Sequence, residues 1–188
     1  MIPSILCNAA IVVINTVCVA IGVKVDGLKK NFRYFTVLSN VLCALTSLFV
    51  LFAWIGGSLP LWVILLKFVG TVSVTVTMLT VLLFLGPTSG EWKLLLTGVQ
   101  LFLHLISPVL AIVSLCVFEH TDFGFPWVFL GLIPVILYGI FYLYRVVVLP
   151  EDRRMEDFYG FNKNGKWAIS VGMMLLLTFA ASVALWAV

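Results

Sequence analysis

The sequence predicts an all-α integral membrane protein, a bundle of six transmembrane helices with both termini extracytoplasmic. Three observations carry this. Of 188 residues, 63% are hydrophobic and 10% charged, against roughly 25% charged in soluble domains, and the mean hydropathy is +1.20. Six apolar runs approach the ~20 residues that a helix needs to cross hydrocarbon. Ten of the eleven Lys and Arg residues fall on alternate connections. A soluble fold of this size cannot hide so much apolar surface. A β-barrel is excluded because the runs are too long and lack period-two alternation.

The first run, about 4–23, has no Lys or Arg ahead of it and no small-residue cleavage site behind it, so it reads as a retained helix rather than a signal peptide. The polar stretch KVDGLKKNFR closes it. The second run, about 34–56, ends on the tight turn GGS, and the third, about 60–85, ends on GPTSGEWK. The fourth, about 94–118, is followed by EHTDFGF. The fifth, about 126–146, leads into the long connection VLPEDRRMEDFYGFNKNGK, and the sixth covers about 167–187. Each run must be helical, because lipid offers no partner to backbone N–H and C=O groups.

Orientation follows from the basic residues. Lys24, Lys29, Lys30 and Arg33 lie on the first connection, Lys93 on the third, and Arg145, Arg153, Arg154, Lys163 and Lys166 on the fifth. The termini and the even connections carry none. The positive-inside rule puts the odd connections in the cytoplasm and both ends outside a cell membrane. Trp54, Trp62, Trp92, Trp127, Trp167 and Trp186 sit near run ends, where an interfacial aromatic belt belongs. The net charge of +3 is explained by this loop asymmetry and does not call for a nucleic-acid partner.

The four cysteines, Cys7, Cys18, Cys43 and Cys116, fall inside apolar runs with no CxxC spacing, and read as small buried hydrophobes. A Cys7–Cys116 disulfide near the outer face is the one pairing left open. His120 stands beside Glu119 and near Asp122, but one histidine is weak grounds for a metal site. These three read as a solvated outer loop, and no metal or cofactor is called for. The Glu151–Arg154 cluster reads as a solvated, self-neutralising stretch. The whole chain, 1–188, reads as a single six-helix domain with no internal repeat.

Polar residues inside the runs form stripes. Thr36, Asn40, Cys43 and Ser47 share one face of the second helix. Thr97, Gln100, His104, Ser107 and Ser114 share one face of the fourth, and Pro134, Tyr138, Tyr142 and Arg145 run along the fifth. Such stripes can converge on a polar chamber. The plainer account is that Ser and Thr bond the carbonyl four residues back and that Asn and Gln act as interhelical glue. His104 stands apart as the one histidine within a run, and an ionisable group at that depth is a functional candidate by default. Desolvation would keep it neutral, as suits a general base. Lys67, about seven residues inside the third run, is expected to snorkel to the outer interface, with an interior role as the alternative.

Three stretches carry a resemblance. FRYFTVLSN (32–40), HLISP (104–108) and, more loosely, PWVFLGLIPVILYGIFYLYR (126–145) are similar to the androgen-induced-gene-like family of membrane proteins, which includes the androgen-dependent TFPI-regulating proteins and bacterial multi-pass relatives. The hydrophobic layout agrees over most of the chain, while the residues agree only in these stretches. Connection 156–166 has no counterpart there. Animal members of that family are threonine hydrolases that cleave fatty-acid esters of hydroxy fatty acids. The resemblance therefore implies an intramembrane lipid-ester hydrolase with Thr36 as nucleophile and His104 as base.

In that mechanism His104 takes the Thr36 proton and Thr36 attacks an ester carbonyl arriving from the lipid. Asn40 or Ser107 is the expected donor to the oxyanion. Arg145 and Lys93 would hold a carboxylate headgroup, and Gln100, Tyr138 and Tyr142 complete the expected substrate contacts. One difficulty is depth. Counted from the basic ends of their runs, the two residues differ by ~12 Å, which helix tilt, the N-terminal lean of His104 and a kink at Pro108 would have to close. The competing readings are a small transporter or lipid-binding protein, for which a homodimer would supply the missing symmetry, and an assembly protein that uses its fifth connection as a contact surface.

Overall fold

The six predicted runs are six helices in a computed structural model that describes residues 1–90 and 92–188, the side chains at 89, 94 and 95 excepted. Glu91 of the third connection lies outside the described residues. Those long and apolar enough to span a membrane are α1 (Ile2–Asp26), α2 (Phe35–Ile55), α3 (Leu61–Thr88), α4 (Gly98–Phe118), α5 (Phe125–Val148) and α6 (Trp167–Trp186). The chain is a multi-pass membrane protein. Helix boundaries follow local chemistry. α1 stops at Gly27, whose φ of 79° lies in a region that L side chains avoid. α3 starts on Pro60 in extended conformation, where a missing N–H costs nothing.

α3 is the hub. Of its most apolar window 61% is buried, against 17–44% in the other five spans. One side packs Phe68, Val72 and Val76 against Leu115 of α4, Val135 of α5 and Ala181 of α6. The other puts Val74 against Ile11, Cys43 and Ala111 of α1, α2 and α4. Lipid gives helices no hydrophobic reason to associate, so close approach at small residues matters more. Gly70 of α3 sits so near α2 that a Cβ there would collide with Thr46 Oγ1 and press on the Cys43 backbone. Gly131 of α5 meets Ser182 of α6 in the same way.

Ser4, Trp54 and Glu119 meet at one end of the bundle, and Trp186 Nε1 donates to Phe123 O there at 2.8 Å, so both termini and the even connections share that end. The basic connections cluster at the other. α4 begins at Gly98, not at 94. Thr97 is extended and Gly98 has φ 55°, which separates α4 from the short helix Trp92–Leu95. Further along, α4 widens into a π-turn at Phe102–Ile106. Pro108 follows directly, and a proline there cannot donate to the carbonyl four residues back, that of His104.

Candidate functional site

Thr36 is the second residue of α2 and His104 the seventh of α4. Starting α4 at Gly98 removes four residues, or ~6 Å, from the expected depth mismatch. The π-turn then aims the imidazole at α2. Thr36 Oγ1 and His104 Nε2 lie 3.4 Å apart. Thr36 is half-buried, and His104 is 6% exposed. Nε2 can accept from the hydroxyl when the ring proton is on Nδ1. The separation exceeds the usual O–H···N optimum, as is common for catalytic pairs before substrate tightens them.

Asn40 holds this arrangement together. Its Nδ2 donates to Thr36 O at 2.8 Å and to Leu103 O at 3.1 Å, so one amide ties the backbone at Thr36 to the backbone beside His104. Both amide protons are spent, which leaves Asn40 as a brace and not the oxyanion donor expected above. Ser39 Oγ lies 2.9 Å from Thr77 Oγ1, fixing the opposite side of α2 to α3. Ser107, one turn beyond His104, is fully buried, with no hydrogen-bond partner for its Oγ among the described residues.

A cavity of about 170 Å³ adjoins Thr36, enclosed by α2, α3, α5, α6 and the fifth connection. Its walls are almost wholly apolar, with the hydroxyls of Thr36, Tyr138, Tyr142 and Tyr159 at the basic end. Ile136, Ile140 and Trp167 line it and are also exposed on the outside of the bundle, so it opens sideways between α5 and α6. Tyr138 and Tyr142 therefore sit where substrate contacts were expected. Gln100 does not, being exposed, and neither Arg145 nor the exposed Lys93 lines the cavity.

The Glu151–Arg154 cluster is exposed, whereas the second half of the fifth connection folds back onto the bundle. Asp157 accepts hydrogen bonds from Tyr142 Oη, from Phe161 N–H at 3.0 Å and from Asn162 N–H at 2.9 Å. Met155 is buried with Tyr142 and Val146, and Phe158, Tyr159 and Phe161 pack on them. Tyr159 Oη accepts from Phe35 N–H at 2.9 Å, capping the first turn of α2 from outside, and lies beside the Thr36 hydroxyl. The sequence signal was present in MEDFYGF, three aromatics in four residues of a loop otherwise rich in charge.

A second polar cluster lies toward the opposite end. Lys67 does not snorkel. It is 0% exposed, and its Nζ donates to Asn8 Oδ1 and Ser47 Oγ, each at 2.8 Å. Glu119 is 3% exposed, turned in from the loop, and its Oε1 accepts from Ser4, Ser114 and Asn8. His120 stays on the surface, 3.6 Å from Asp122. Among the described residues no cluster of three His, Cys, Asp or Glu could hold a metal, and all four cysteines are free thiols.

No protein-family model, no curated protein and no solved structure matches this chain.

Proposed function

We propose that this protein is an intramembrane hydrolase of long-chain acyl esters, with Thr36 as nucleophile and His104 as general base. The observation that carries the reading is the 3.4 Å approach of Thr36 Oγ1 to His104 Nε2 beside an apolar cavity that opens sideways to lipid. The resemblance to the androgen-induced-gene-like family, resting on the stretches around these two residues, points the same way.

Threonine is a poor nucleophile without a base in hydrogen-bond reach. In this reading an acyl chain enters between α5 and α6, and its ester carbonyl stops at Thr36. The Thr36 proton moves to Nε2 as the Oγ1–carbon bond forms and the carbonyl electron pair moves onto oxygen. Collapse breaks the ester C–O bond, and the departing alkoxide takes the proton from His104. Water then attacks acyl-Thr36 with His104 again as base, releasing the fatty acid. By the positive-inside rule the site faces the cytoplasmic leaflet of the cell membrane.

A second reading, lipid binding without turnover, draws on the almost wholly apolar wall surface of the same cavity. One experiment separates them. The purified chain in lipid nanodiscs is given a fluorogenic long-chain ester and, separately, a fluorophosphonate probe. Hydrolysis that Thr36→Ala and His104→Ala both abolish, with the probe mapped to Thr36, supports the hydrolase. Retained acyl-chain binding with no hydrolysis and no labelling supports the second reading.

A further inference from the structure

We infer that Tyr159 is a third catalytic residue of this site, donating a hydrogen bond to the substrate's carbonyl oxygen as it becomes an anion, and that the second half of the fifth connection is the lid that carries it there. The inference rests on the hydrolase reading.

Acyl transfer needs a positioned donor where negative charge develops, and the neighbouring groups are already committed. Both Asn40 amide protons go to backbone carbonyls. Tyr138 Oη donates to Arg33 O at 2.7 Å, and Tyr142 Oη donates to Asp157. Thr77 Oγ1 donates to Ser73 O. Ser107 does not line the cavity. Tyr159 does, on the same wall as Thr36. Its oxygen accepts from Phe35 N–H and lies beside the hydroxyls of Thr36 and Tyr138. A carbonyl oxygen bound over Thr36 comes within reach of this rotatable phenol, whose proton then turns to it.

The phenol is held firmly. Rings of Tyr138, Tyr142, Phe158 and Phe161 surround it at centroid distances of 4.6–6.4 Å. Asp157, two residues earlier, fixes the backbone through the hydrogen bonds it accepts from Phe161 and Asn162. Burial raises the Tyr159 pKa to about 12, so the group keeps its proton at neutral pH and remains a donor throughout the cycle. The chemistry balances without it: the proton lost by Thr36 passes to His104 and then to the leaving alkoxide, while Tyr159 stabilises charge and transfers no proton.

The test uses the full chain in nanodiscs. Tyr159→Phe is expected to lower kcat by about 100-fold, in the range seen on removing one oxyanion donor, with KM little changed. Affinity for a long-chain trifluoromethyl ketone, whose adduct with Thr36 carries an oxyanion, should fall by a similar factor, while affinity for the matching unreactive alcohol should not. Replacing Tyr159 with 3-fluorotyrosine keeps its shape and makes the phenol more acidic, so the alkaline limb of kcat should move to lower pH. Wild-type kcat and ketone affinity in Tyr159→Phe, or an unmoved alkaline limb, overturns the assignment while an inactive Thr36→Ala leaves the hydrolase reading standing. Unchanged hydrolysis in Thr36→Ala, or none in the wild type, overturns both.

Discussion

Lys67 of α3 and Glu119, just past the end of α4, are joined through one side chain. Asn8 accepts from Lys67 Nζ on Oδ1 and donates from Nδ2 to Glu119 Oε1, so an ammonium and a carboxylate share an amide inside the bundle. Truncating one member of a buried charge pair strands the other, typically at about 3–5 kcal/mol. Lys67→Met and Glu119→Gln should therefore each lower the thermal midpoint in detergent sharply. The double variant should recover part of the loss, because neither charge is then left alone. Strictly additive losses would mean that the two charges do not sense each other through Asn8.

Asn40 predicts a different pattern. Asn40→Leu keeps the volume and removes both bonds to the backbones at Thr36 and Leu103. The stability cost should be modest, about 1–2 kcal/mol for two net hydrogen bonds. The loss of kcat should be larger than such a change in folding explains, since the brace sets the Thr36–His104 separation. Equal fractional losses of folded protein and activity would reduce Asn40 to interhelical glue.

The resemblance singled out Thr36 and His104, whose side chains lie 3.4 Å apart, while the span count and the fold class were legible in the sequence itself, because hydropathy and 3.6-residue spacing reveal helices and their polar faces. The start of α4 was not, since Thr97–Gly98 interrupts an otherwise apolar run only through a backbone turn. The role of Glu119 was hidden by its position one residue past a helix end, where burial depends on whether a neighbour offers donors. Those donors lie largely on α1, whose buried residues Ser4, Asn8, Ile11, Asn15 and Cys18 repeat at alternating intervals of four and three. Reading that stripe as a polar seam would have supplied a partner for Lys67. The lid was illegible for another reason: the aromatic cluster over the cavity forms only once α5 presents Tyr138 and Tyr142 to it.

Gly139 offers a probe of the cavity itself. It lines the chamber, and a Cβ built there meets nothing within 4 Å. Gly139→Leu should leave the fold intact, or slightly steadier because a flexible helical glycine is removed. It should cut kcat/KM for long-chain esters while sparing acetyl esters. Equal effects on both chain lengths would place the acyl chain elsewhere.

Tyr159 makes the docked lid sensitive to alkali in a defined direction. In the unfolded or undocked chain a tyrosine ionises near pH ~10, whereas the docked group holds its proton to about 12. Below pH ~10 both states are protonated and docking is unaffected. Above it the undocked state binds fewer protons, so docking weakens progressively as the pH rises toward the docked value. Phenolate absorbance should show the phase near pH 12 in the wild type and lose one tyrosine from it in Tyr159→Phe.

The lid's other anchor is Asp157, whose two carboxylate oxygens accept three hydrogen bonds. In Asp157→Asn the side-chain amide would offer a single acceptor oxygen and would turn an NH₂ group toward N–H or O–H donors. At least one bond must then be lost and a donor left facing a donor. Local opening of a loop scales with the free energy of its own contacts and not with that of the whole fold. Loss of about 1.4 kcal/mol raises the open population roughly tenfold. Asp157→Asn should therefore speed tryptic cleavage after Arg153, Arg154 and Lys163 by about that factor, leaving the thermal midpoint of the six-helix bundle nearly unchanged. Under the hydrolase reading it should also raise KM for long-chain esters, since an undocked lid removes Tyr159, Phe161 and Asn162 from the cavity wall. Cleavage at the wild-type rate would show that the aromatic cluster holds the lid without the carboxylate.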